Sequence, residues 1–149
     1  SARLTISAYE NLISSAERRA ILNAEDATTI RMADIAGVIP AITGKVELVY
    51  EGEQEGAGIV AGNLVGKAIR KQFLNYFPDP EETRKKKENN PYAAITTWFG
   101  KGNMVDIFQD SSFEEYSETL LAVEGLAELV DDTVKTKSTA EKLLFMEFA

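Results

Sequence analysis

"GIVAGNLVGKAIRKQFLNYF", residues 58–77, sets the fold class. Val60, Leu64, Val65, Ala68, Ile69, Phe73, Tyr76 and Phe77 recur every three or four positions. That spacing gathers them on one broad face of a helix, and Pro78 then stops it. A helix this apolar on one side needs other elements to bury that side.

Upstream, "ISAYENLISSAERRAIL", residues 6–22, places Ile6, Tyr9, Ile13, Ala16 and Ala20 at helical spacing, with Leu12 beside them. Ser7 and Glu10 have the spacing of a capping box, which would start the helix at Ser7 and leave Arg3 just before it or in an earlier first turn. "NAEDATT", residues 23–29, interrupts the pattern. "RMADIAGVIPAIT", residues 31–43, carries a second stripe of Met32, Ile35, Val38, Ile39 and Ile42. Gly37 and Pro40 weaken it, so it reads as a helix with a bend. Residues 46–50 are open to two readings, a short extended segment or a continuing helix. "YEGEQEG", residues 50–56, follows as a glycine- and glutamate-rich joint.

Beyond Pro78 the chain becomes polar. "DPEETRKKKENNPY", residues 79–92, is a charged connector with room for one short helical turn opened by Asp79 and Pro80. Asn90 and Pro91 open a helix through "PYAAITTWF", which Gly100 closes. Ser112 with Glu115, and Ser138 with Glu141, form two more capping boxes ahead of two more helices. Gly125 splits the segment between them. No stretch reads clearly as sheet, and no internal repeat is evident. The expected fold is all-α.

Composition removes several function classes. At 149 residues the chain can bury a real core, and 44% hydrophobic with 27% charged residues is ordinary for a globular protein. A net charge of −8 opposes general nucleic-acid binding and docking on anionic membranes. Without cysteine there is no disulfide, thiolate metal site or cysteine nucleophile, and without histidine the commonest general base is missing. No apolar run approaches the roughly 20 residues of a membrane span, and the cytoplasm is the expected location. Ser1 in place of a methionine and the apolar ending "KLLFMEFA" suggest a portion of a longer protein.

The catalytic and binding candidates are few. Gly44 and Lys45 in "ITGKVE" lack the preceding glycine and following Ser or Thr of a phosphate loop. Glu47, Glu51 and Glu55 stand four apart, a spacing that on a helix would bring like charges together, so a solvated acidic surface outweighs a metal or acid–base site. "RKKKE", residues 84–88, reads as a solvated linker. Trp98 and Phe99 read as core or interface anchors.

The order of "SAR" (residues 1–3) before a helix, then "TTIRMADI" and "VIPAITGKVELVYEGEQEG", then a helix ending in aromatics, resembles the helical lid of AAA+ ATPases of the MoxR and magnesium-chelatase type. The likeness covers residues 1–77, the lid. Residues 78–90 then form a charged linker and 91–149 a helical C-terminal extension. The resemblance implies a bacterial ATPase that couples hydrolysis to remodelling of partner proteins. It implies ATP and Mg2+ in the intact protein only, held by a large AAA+ domain, in a homo-oligomeric ring with a client or von Willebrand A-type partner. Arg3 stands where the family places its sensor-2 arginine, which reaches the γ-phosphate. The family's phosphate loop, Walker B acid, sensor 1 and arginine finger belong to the large domain. Relatives carry a His-Arg pair where this chain has Gly44 and Lys45. On this reading the fragment holds no catalytic residue and no metal ligand of its own. Two rival readings are an all-helical protein-interaction module and a self-contained enzyme using the glutamates with a divalent metal.

Overall fold

The computed structural model describes residues 2–45, 55–85 and 90–149. Among these residues the protein is all-α, with eight α-helices, one 3-10 helix and no strand. The alternative readings of residues 46–50, and most of the "YEGEQEG" joint, lie outside the described residues. No helix among the described residues is long and apolar enough to cross a membrane.

Two compact units divide the chain, Ser1–Gln72 and Phe73–Ala149. The division falls inside a helix rather than after Phe77. The reason is aromatic: Phe73 and Phe77 stack edge-on against Phe148, with centroids 5.7 and 5.9 Å away, and Tyr76 lies 5.0 Å from Phe145. Rings at these separations and tilts attract through their quadrupoles as well as by burial.

In the first unit, α1 (Ala2–Leu22) packs on the 3-10 helix Met32–Val38 and on α2 (Ile39–Thr43). α1 begins at Ala2, so Ser7 lies inside the helix and caps nothing. Its Oγ instead accepts a hydrogen bond from Lys45 Nζ at 2.8 Å. Helix 31–43 is not one bent helix but two short ones of different pitch. Pro40 lies in the first turn of α2, where an N–H would be unpaired anyway. Gly37 lets the 3-10 backbone press on α1: Asn11 Nδ2 donates to Gly37 O at 3.2 Å, and a Cβ there would run into Ser15 Oγ. α3 (Ala57–Tyr76) begins in this unit and turns Ala61, Val65, Ile69 and Phe73 inward at four-residue steps. The inward face is narrower than the sequence suggests, for Leu64 is about half exposed.

The second unit adds α4 (Pro80–Lys85), α5 (Ala93–Gly100), α6 (Phe113–Leu121), α7 (Leu126–Thr133) and α8 (Thr139–Phe148). The last three pack pairwise around Leu120, Val130, Leu143 and Met146. Asp79 Oδ1 accepts from Glu81 N at 2.8 Å, so the turn expected at Asp79 and Pro80 is present. Asn90 Oδ1 accepts from Tyr92 N at 3.0 Å, ahead of a helix that starts at Ala93. The Ser112–Glu115 box is complete in both directions, at 3.2 and 2.9 Å. Ser138 makes only its half, accepting from Glu141 N at 3.4 Å, while the Glu141 carboxylate accepts a hydrogen bond from the Thr136 hydroxyl instead. Gly125 separates α6 from α7 with φ of +85°, a conformation that suits glycine, and a Cβ there would stand 2.5 Å from the Ala94 Cβ.

Candidate functional site

Arg3 sits exposed in the first turn of α1. Ile6 is its i+3 neighbour on the helix surface. Ile6 and Tyr9 are 57% and 60% exposed, although they belong to the same apolar stripe as Ile13, Ala16 and Ala20. Only the second half of that stripe is covered within the unit, where Ala16 and Ala20 are buried. The N-terminal half of α1 therefore presents a cation and two apolar side chains together.

The other half of α1 is anchored by charge. Arg19 and Asp34 are both fully buried and pair at 2.5 Å. Arg19 Nη2 also donates to Thr29 O at 2.6 Å and to Thr28 Oγ1 at 3.2 Å. Asp34 Oδ2 accepts from Arg31 N at 2.8 Å. Four of the polar atoms at this node are thus satisfied within the unit, and Arg19 Nε finds no partner among the described residues. Such a node fixes where the 3-10 helix sits along α1, because a buried charge without its partner is costly. Neither residue stands out in the sequence. The one signal is position, since both fall beside the apolar stripes of their elements.

Lys45 is committed to Ser7 of its own unit. Glu55 is exposed, and Glu47 and Glu51 lie outside the described residues. Arg84 and Lys85 are exposed in the last turn of α4, and the rest of the 84–88 block lies outside the described residues. Among the described residues no three carboxylates converge as a metal-binding group would require.

The second unit holds an apolar pocket of about 300 Å³ lined by Ile95, Phe99, Val105, Ile107, Val123 and Met146, with Glu147 its one charged residue. The Glu147 carboxylate accepts from the Tyr116 hydroxyl at 2.8 Å. Trp98 packs against the core, and its ring meets Phe99 edge-on at 5.0 Å, while Phe99 stays about half exposed at the pocket. The expected anchors thus divide the work: Trp98 faces the core and Phe99 the surface. A concavity lined almost wholly by apolar side chains is suited to binding an apolar group.

The acidity of Tyr92 is shifted by its surroundings. Burial, and then the Asp79 charge, raise its phenol above the usual value of 10. Its hydroxyl donates to Pro78 O at 2.6 Å, which ties the start of α5 back to the end of α3.

No protein-family model, curated protein or solved structure matches this chain.

Proposed function

We propose that residues 1–77 form the lid of a MoxR/magnesium-chelatase-like AAA+ ATPase and that Arg3 is its sensor-2 arginine. The observation that carries the reading is the split apolar stripe of α1. Ile13, Ala16 and Ala20 face the lid's own helices, whereas Ile6 and Tyr9 are left open within two turns of Arg3. A lid docked on a large domain needs that combination: apolar surface to bury and a cation to extend toward a phosphate. Guanidinium keeps its charge at any working pH and bonds phosphate oxygens through two N–H groups. The buried Arg19–Asp34 pair holds the far end of α1, so movement of the lid would carry Arg3 with it. In the intact ATPase, a homo-oligomeric ring in the bacterial cytoplasm, ATP and Mg2+ belong to the large domain. They supply phosphoryl-transfer chemistry, and this chain supplies the charge and the hinge-borne surface.

The test is turnover of the intact ATPase with Arg3→Ala and Arg3→Lys, beside nucleotide affinity. The lid reading expects turnover to fall about tenfold or more with binding retained, and only partial rescue by lysine. Unchanged turnover in both variants would reduce the likeness to one of fold. A second reading, a protein-interaction module, is favoured for the C-terminal unit by its pocket and half-exposed Phe99.

A further inference from the structure

After α5 the backbone leaves the helix through Gly102, at φ of +88°, and Asn103 Nδ2 closes the helix end by donating to Trp98 O at 2.8 Å. Residues 103–108 then run without helix, turn or bend until Ser111 N donates to Phe108 O at 3.1 Å. Burial alternates along them. Val105 and Ile107 pack on the core and line the pocket, while Met104, Asp106 and Phe108 point outward. Met104 is 82% and Phe108 69% exposed. That is the side-chain period of a strand. Yet among the described residues no hydrogen bond reaches the backbone of residues 104–107. The segment therefore offers what a lone sheet edge offers, a row of unpaired N–H and C=O groups.

Charge selects the partner. Residues 90–149 hold four lysines and no arginine against eleven carboxylates, a net charge of −7. A second copy of the segment would set another Asp106 against this one, on a unit whose residues 90–149 carry −7 already. A cationic segment gains where the copy loses. We propose that residues 103–108 are the docking edge for an extended, basic segment of a partner protein, which adds as a strand. Its outward side chains read apolar–basic–apolar, opposite Met104, Asp106 and Phe108. This goes beyond the lid assignment and does not depend on Arg3.

The full 149-residue chain can be titrated with the capped heptapeptide Thr-Val-Thr-Lys-Thr-Val-Thr, followed by calorimetry. We expect saturable binding, weakened by salt. Methylating alternate backbone nitrogens on the pairing edge should lower affinity about tenfold or more, since several main-chain hydrogen bonds are lost at once. Replacing the peptide lysine by glutamate should weaken binding at least about threefold. The exposed variant Asp106→Lys should reverse that preference. Absence of binding, equal affinity of the methylated peptide, or an unreversed preference in Asp106→Lys would each overturn the proposal. So would sedimentation showing that the chain pairs with itself through Phe108, with Phe108→Ser restoring the monomer.

Discussion

Arg19 and Asp34 lie fifteen residues apart in sequence, and their side chains meet at 2.5 Å with no exposure to solvent. Removing one partner leaves the other charged and buried. Asp34→Ala should therefore cost about 3–5 kcal/mol, whereas replacing both residues together by apolar ones of similar size should cost far less. Urea unfolding of the two variants, followed by circular dichroism, measures the difference. Equal losses would mean the pair is not the source of the penalty.

Gly125 and Gly37 should respond differently to alanine. At Gly125 the added carbon meets Ala94 Cβ and the backbone sits in the left-handed region, so Gly125→Ala should cost roughly 1–3 kcal/mol. Ala94→Gly should restore only the steric part. At Gly37 the obstruction is the Ser15 hydroxyl, which can rotate or be deleted. Gly37→Ala should be mild and be relieved by Ser15→Ala. Thermal midpoints of the four single and double variants settle both cases.

Leu120 and Leu121 are neighbours in sequence but lie on opposite sides of α6, at 2% and 57% exposure. Leu120→Ala should destabilise by about 2–5 kcal/mol. Leu121→Ala should stay within about 0.5 kcal/mol of the parent. Reversed or equal effects in denaturant unfolding would place α6 in a different register.

Tyr92 predicts an alkaline limb. Its phenol keeps its proton in the folded chain to a higher pH than in the unfolded chain, where the value is near 10. The folded state then binds more protons as pH rises past 10, and stability falls until the folded phenol ionises as well. Tyr92→Phe should flatten that limb and leave the acid side unchanged. Stability measured from pH 8 to 11 in both proteins checks it, and an identical slope would remove Tyr92 as the cause.

How much of this was legible in the sequence is clearest in three of its Ser-x-x-Glu patterns. Ser112 with Glu115 is a complete box, Ser138 with Glu141 half of one, and Ser7 with Glu10 none. The pattern is local, and it decides the outcome only where nothing else takes the oxygen. Thr136 competes for Glu141, and Lys45, thirty-eight residues away, takes Ser7 inside a helix that has already begun. The helix through residues 58–77 and the stop at Pro78 were readable because both follow from periodicity and from proline's missing N–H. The split of residues 31–43 into two pitches was not, since it depends on Gly37 pressing against Ser15. On the candidate site, Arg3 and Phe99 are surface residues that the sequence can nominate. The Arg19–Asp34 node and the pocket exist only once separate elements meet, and no spacing announces them.

Trp98 is the chain's single tryptophan, and it packs in the C-terminal unit. Its emission therefore reports on that unit alone, whereas far-ultraviolet circular dichroism sums the helices of both. One denaturant titration read by the two signals separates the halves of the molecule without cutting it. Coincident curves mean a single cooperative transition, and an early loss of ellipticity at constant emission means that the N-terminal helices melt while the tryptophan's surroundings still stand.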